Sequence, residues 1–294
     1  MPELPDIVVY IERLPARVLG EQLTDIRLTS PWVLRTFDPP VSSVRGQRVV
    51  AIRRVGKRII LQLEDDLFIV IHLMVAGRLR WRDSGTPIPK RKGLAAFDFA
   101  TGTVLFTEEG TKKRASIHIV QGEEALAEHD RGGVEPLEMS TQQLADALQR
   151  ERHTLKRSLT DARLVSGIGG AYADEIMHRA LLSPIVRTDR LEPEDIGRLH
   201  EAIVTVLTEW TERLRSEVGD GFPERVTAFH DKMAVHGRFG SNCPICESPV
   251  QRIVYSSRET NYCPGCQTGG KILADRSLSR LLKEDFPRTL EELE

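Results

Sequence analysis

The sequence predicts an α+β protein, and three observations carry that prediction. Short alternating strands fill the chain from about residue 20 to 120, and from about 135 to 235 the apolar period becomes helical. The four cysteines of the chain, Cys243, Cys246, Cys263 and Cys266, then follow the pattern C-x2-C-x16-C-x2-C. Its 294 residues suggest about two domains.

One helix precedes the strands. Ile7, Ile11 and Leu14 are spaced for one face, after Pro5 at a helix start. Arg48 to Ile52, Ile59 to Leu63 and Phe68 to Leu73 then read as strands, with Glu64-Asp65-Asp66 as a turn. Ala96 to Phe99 and Thr103 to Phe106 form a further hairpin, and Ser84 to Lys92 is a loop. Such a series of strands suggests a sandwich or a barrel. In the helical region a helix covers Thr141 to about Gln149. Ile196, Leu199, Ile203, Leu207, Trp210 and Leu214 form one apolar stripe. Between them, Leu164 to Ile176 reads as helix, glycine-rich turn, helix, the last starting at Ala171. The backbone N–H groups and dipole of that helix start suit a phosphate. A dinucleotide fingerprint fits poorly, because no strand precedes the glycines and G-x-G-x-x-G is not completed.

Two residues between cysteines let both sulfurs face one ion, and two such knuckles complete a tetrahedron, so the spacing predicts one structural Zn²⁺. Redox or disulfide pairs are the alternative, and nothing here resembles a secreted chain or a βαβ redox context. The intervening residues 248–262 read as strand, turn, strand, with Arg258 at the turn, which makes a β-hairpin zinc finger. A segment this small takes its folding energy from the metal.

Composition narrows the function. Hydrophobic residues are 40% and charged residues 29%, which suits a globular chain with a core. No apolar run approaches the ~18 residues of a membrane span. The first residues, MPELPDIVVYIERL, hold no basic region followed by an apolar stretch, so the expected location is cytoplasmic. The net charge of −2 excludes a histone-like polycation. It does not exclude a nucleic-acid binder, because the positive charges cluster. Arg78, Arg80, Arg82, Lys90, Arg91 and Lys92 form one group, Lys112-Lys113-Arg114 a second, and Arg150, Arg152, Lys156 and Arg157 a third. Each alone is better explained by a solvated face than by a ligand site.

The N-terminus offers a reactive centre. Pro2 is small enough to permit removal of Met1, which exposes a secondary amine beside Glu3. Roughly a tenth of an ordinary α-amino group is unprotonated near pH 7, far more than of a lysine. Such an amine attacks an electrophilic carbon with little tuning and forms an iminium. On these residues alone, an ordinary second residue is the simpler account.

MPELPD at the N-terminus, VGK with Lys57, GIGGAYADEI between helices and the four-cysteine hairpin occur here in that order. Together they resemble the formamidopyrimidine-DNA glycosylase and endonuclease VIII (Fpg/Nei) family, over nearly the whole chain up to about residue 270. The resemblance implies a β-sandwich over 1–130, a helix–two-turn–helix domain over 131–235, a zinc finger over 236–272 and a tail over 273–294, with DNA in the cleft. It implies a monomer that acts on double-stranded DNA containing a damaged base or an abasic site, with no membrane. Base excision would be followed by strand cleavage through β,δ-elimination. Pro2 matches the family's nucleophile and Glu3 the acid that assists ring opening. Lys57 matches a phosphate-contacting lysine assigned to proton transfer in β-elimination, and Arg258 the fingertip arginine linked to δ-elimination. The expected DNA-binding set is Asp6, His72, Met74, Val75, Lys156, Gly169, Gly170 and Tyr172.

The chain departs from the family pattern at several of these positions. Asp6 stands where Glu is usual, and Gly170 where an Asn holds a phosphate. The run His72-Leu73-Met74-Val75-Ala76-Gly77 places Val75 at the Met that fills the space of the flipped base. Glu108 to Arg114 replaces an Arg-Phe loop, and no lid for an oxidised purine is evident between Val218 and Thr227. A strict 8-oxoguanine preference is therefore not expected. A catalytically weak or silent DNA-binding relative is the alternative. A tautomerase with an N-terminal proline is a distant third, with no use for the finger. In the tail, Leu273, Leu278, Leu281 and Leu282 suggest a short amphipathic helix that packs on the body or, less simply, binds a partner.

Overall fold

Helix α1 (Leu4–Arg13) begins with Pro5 in its first turn, where the missing N–H costs nothing. It buries Leu4, Ile7, Val9 and Tyr10. The computed structural model describes residues 1–110, 112–227, 229–255, 258–273 and 287–293. It divides into two units, the first made of Met1–Arg131 with Trp210–Ala228, the second of Gly132–Glu209 with Phe229–Glu294.

In the first unit a short helix α2 (Pro15–Val18) leads into eight strands. These are β1 (Leu23–Leu28), β2 (Val49–Val55), β3 (Arg58–Leu63), β4 (Leu67–His72), β5 (Gly77–Arg82), β6 (Gly93–Phe99), β7 (Gly102–Glu108) and β8 (Ser116–Gln121). Their two antiparallel sheets have the orders β1-β6-β7-β5 and β2-β3-β4-β8. Side chains alternate across each strand. Ile59, Leu61, Ile69, Ile71, Ile117 and Ile119 thus enter one core with Phe97, Phe99, Val104 and Phe106 of the other sheet. Their neighbours Ile60, Phe68, Val70 and Val120 form a smaller cluster on the opposite face with Leu126 of α3 (Glu123–Ala127). A shared core between two sheets is a sandwich, which decides between the two architectures open from strand spacing.

The second unit holds α4 (Thr141–Gln149), α5 (Leu155–Leu159) and α6 (Gly170–Arg179). Ser140 caps α4, accepting the Gln143 N–H at 3.2 Å while the Gln143 side chain accepts the Ser140 N–H at 2.8 Å. Helix α7 (Pro193–Val218) carries the expected stripe, with Leu199, Ile203, Leu207 and Trp210 buried, and its last residues from Trp210 on belong to the first unit. The expected segment 131–235 is thus split between the two units. Strands β9 (Gln251–Tyr255) and β10 (Arg258–Tyr262) pair as a hairpin, followed by α8 (Pro264–Thr268). Leu278, Leu281 and Leu282 of the expected tail helix lie outside the described residues. Among the described residues, no helix is long and apolar enough to cross a membrane.

Candidate active site and metal centre

Residues 2–6 are buried where α1 begins. The Glu3 N–H donates to Asp6 Oδ2 at 2.8 Å, a carboxylate in the first turn, where the helix dipole favours it. Burial works against that charge. Desolvation pushes Asp6 up from 3.8 to about 7, with the Glu3 N–H opposing. The α-amine in this structure is that of Met1. Burial lowers it below its ordinary value, Glu3 opposes, and the positive charges of Arg78 and Lys57 add to the lowering.

Lys57 reaches this cluster from the two-residue turn between β2 and β3. Gly56, at φ +56°, takes the first turn position, where this hairpin type requires glycine. Burial lowers the Lys57 amine and Glu3 raises it. Arg78 was visible in sequence only as one member of a basic run. Its alternation with Arg80 and Arg82 along β5 places all three on one face.

His72 ends β4, opposite Arg58 and Ser116. Burial, then the charges of Arg58, Lys57, His118 and Arg131, push it down to about 4, so it is neutral at pH 7. In the turn that follows, the Gly77 N–H donates to the Leu73 carbonyl at 2.8 Å. A Cβ on Gly77 would lie 2.2 Å from that oxygen, so only glycine closes the turn. Met74 adopts φ +53°, a left-handed conformation that costs a non-glycine residue on the order of 1–3 kcal/mol and concentrates at functional sites. Val75 at the tip is 55% exposed. The loop after β7 is closed by Glu108, whose buried carboxylate accepts the N–H groups of Arg114 at 2.9 Å and Ala115 at 3.2 Å. Thr111 of that loop lies outside the described residues.

A cavity of about 360 Å³ opens in the same unit. Its lining includes Asp6 and Val9 of α1, Leu214 and Val218 of α7, and Phe222 and Glu224 beyond it. Arg82 donates two hydrogen bonds to Glu224, at 2.7 and 3.0 Å. The Phe222 ring lies 5.7 Å from that of Tyr10 and 5.2 Å from the Arg17 guanidinium. The segment in which the sequence shows no lid therefore forms a wall of this cavity.

In the second unit, Lys156 on α5 donates to the Gly170 carbonyl at 2.6 Å and pairs with Asp174, which is wholly buried. The other Asp174 oxygen meets His236 Nδ1 at 2.8 Å. Gly169 caps α6, which begins at Gly170, one residue before the expected Ala171. A Cβ at Gly170 would meet nothing within 4 Å. Tyr172 is buried in the first turn. Asp174 and Glu175 belong to the GIGGAYADEI run, where no sequence signal marks them as buried. Buried Glu175 accepts the N–H groups of Ala234 at 2.8 Å and of Val235 and His236 at 2.9 Å. Arg258 is exposed at the start of β10, opposite Tyr255.

The cysteines converge after the fold brings both knuckles together. Cys243 Sγ lies 3.8 Å from Cys266 Sγ, and Cys246 Sγ lies 3.3 Å from Cys263 Sγ and 3.4 Å from Cys266 Sγ. Zn–S bonds of about 2.3 Å in a tetrahedron place sulfurs roughly 3.8 Å apart, so this donor set fits a metal ion. Gly265 keeps its knuckle tight, because a Cβ there would stand 2.9 Å from Cys246 Sγ and 2.6 Å from Ser248 Oγ and would force one of those side chains to move.

Fold and site together define a class: a two-sheet sandwich with a partly buried N-terminal amine under the charge of a lysine, and helices bearing a cysteine-rich hairpin. Residues 1–114 match the profile of the formamidopyrimidine-DNA glycosylase N-terminal domain and residues 133–219 that of the formamidopyrimidine-DNA glycosylase H2TH domain. A formamidopyrimidine-DNA glycosylase of Solibacter usitatus is 32% identical over 271 residues, covering 91% of this chain and 99% of that one. An uncharacterized formamidopyrimidine-DNA glycosylase-like protein of Mycobacterium tuberculosis is 39% identical over 151 residues, covering 51% of this chain and 94% of that one. The fold is similar to that of the Lactococcus lactis Fpg in a complex with DNA containing an abasic site, with a TM-score of 0.79 at 24% identity, over 90% of this chain and 99% of that one. The chain belongs to the formamidopyrimidine-DNA glycosylase family.

Proposed function

We propose that this protein is a DNA glycosylase of base excision repair with AP-lyase activity, acting on damaged or abasic double-stranded DNA in the bacterial cytoplasm. The observation that carries this reading is the desolvated N-terminal amine, lowered further by Arg78 and Lys57 and held beside Glu3. With Met1 removed, Pro2 presents the amine to these same charges.

The Pro2 nitrogen attacks C1′ of the damaged nucleotide. The N–C1′ bond forms, the bond to the base breaks, and the base leaves with the electron pair. Glu3 supplies the proton that accompanies ring opening to the iminium. Lys57 contacts phosphate and moves protons in β-elimination, which expels the 3′ phosphate, and Arg258 grips phosphate through δ-elimination. The cavity beside Asp6 receives the extruded base, at an unstacking cost of a few kcal/mol. Val75, exposed on a strained turn, is the apolar wedge for the vacated space. His72, neutral at pH 7, donates a hydrogen bond to phosphate, and the Gly169–Tyr172 turn with Lys156 contacts the phosphate backbone of the DNA. Cys243, Cys246, Cys263 and Cys266 hold one Zn²⁺, which crosslinks the hairpin and takes no part in the reaction.

The test is borohydride trapping on duplex DNA with an abasic site, which removes base preference from the question. A chain verified to begin at Pro2 should form a covalent complex mapped to Pro2, and Pro2→Gly should form it much more slowly while keeping DNA affinity. One observation favours a silent binder: Gly170 offers no side chain to phosphate. Binding without any trapped complex selects that second reading and makes Gly170→Asn, for which the structure has room, the first restoration to try.

A further inference from the structure

A fifth donor stands beside the four sulfurs. His178 projects from α6, is 3% exposed, and holds Nε2 at 3.3 Å from Cys243 Sγ. The ligand atoms of His178, Cys243, Cys263 and Cys266 all lie within 4.8 Å of one another. A Zn–N bond of about 2.0–2.1 Å and a Zn–S bond of about 2.3 Å put nitrogen and sulfur roughly 3.6 Å apart in a tetrahedron. The imidazole therefore sits at ligand distance as well as hydrogen-bond distance.

Two donor sets overlap here and share Cys243, Cys263 and Cys266. One is completed by Cys246 and the other by His178. They differ in exposure: Cys246 faces solvent, whereas His178 is buried. The imidazole is held in place from both ends of its helix. Glu175 binds the segment leading into the first knuckle. Beyond the helix end, the Leu182 carbonyl accepts the Gln267 side-chain N–H at 2.8 Å, and Gln267 Oε1 accepts the Cys263 N–H at 2.8 Å.

We propose that the metal centre draws on five donors, with His178 in reserve for the position that Cys246 occupies. This rests on the metal-centre reading above. With all four thiolates on the metal, Nε2 carries the ring proton and donates to the Cys243 sulfur. With Cys246 withdrawn, one metal–sulfur bond is replaced by one metal–nitrogen bond. The ring proton then sits on Nδ1, leaving the Nε2 lone pair for the ion.

The probe is ¹¹³Cd²⁺ bound to the ¹⁵N-histidine-labelled full chain. The wild type should hold one ion per chain without coupling between ¹¹³Cd and the His178 nitrogen. Cys246→Ser should still hold one ion and gain that coupling. Adding His178→Phe to Cys246→Ser should abolish retention of the metal, whereas His178→Phe alone should keep it. The proposal is overturned if Cys246→Ser loses the metal or unfolds, if it binds the ion without the coupling, or if the coupling is already present in the wild type. A wild-type chain that binds no metal overturns the metal-centre reading itself and the proposal with it.

Discussion

Asp6 shows how full burial shapes a residue's behaviour. Its carboxyl keeps a proton up to about pH 7 in the fold, against 3.8 ordinarily. Between those values the folded state binds the extra proton. The stability this group contributes is therefore fullest below about pH 4 and declines as the pH rises toward 7. Asp6→Asn, which keeps an oxygen for the Glu3 N–H, should flatten that decline. Thermal unfolding of the two proteins from pH 4 to 8 checks this, and parallel profiles would refute it. Part of the residue-scale site was legible in the sequence. Lys57 sits in a two-residue glycine hairpin and the cysteines in short knuckles, where local spacing fixes geometry. Glu224 was not legible, because its partner Arg82 is 142 residues away and the segment around it has no period. His178 reads as a polar residue on a helix, and only the packed hairpin puts sulfur against it.

At the scale of elements, α6 serves as an anchor through two buried acidic side chains. Asp174 and Glu175 are buried, and Glu175 alone receives three backbone N–H groups from residues 234–236. Glu175→Gln removes one acceptor oxygen and puts an N–H₂ group against backbone donors. The expected loss is about 1–3 kcal/mol of local stability, or roughly 5- to 150-fold faster amide exchange at those three residues. Unchanged exchange would show that the segment is held by other means. The strands and the long apolar stripe of α7 were legible because periodicity is local. The start of α6 was misplaced by one residue, since Gly170 adopts helical geometry that its glycine character argued against.

At the scale of the whole molecule, the first unit is discontinuous in the chain. Val226 lies in the sandwich core and Phe222 packs against it, while Arg215 binds Glu12 and Glu224 binds Arg82. A fragment of residues 1–131 lacks these groups and should show poorly fixed tertiary structure. Near-UV circular dichroism of the fragment, alone and with a peptide of residues 210–228, reads this directly. Native-like spectra without the peptide would contradict it. No periodic signal marks 219–226 as part of the sandwich, so this division was beyond pattern reading.

That discontinuity also sets an order of events during synthesis. About 100 residues lie between Arg131 and Ala228, the end of the segment that completes the first unit. At about 5–20 residues per second, a nascent sandwich waits roughly 5–20 s on the ribosome with one wall of its cavity still untranslated. The N-terminal amine is the first group made, and the cavity beside it is finished only when most of the protein has been translated.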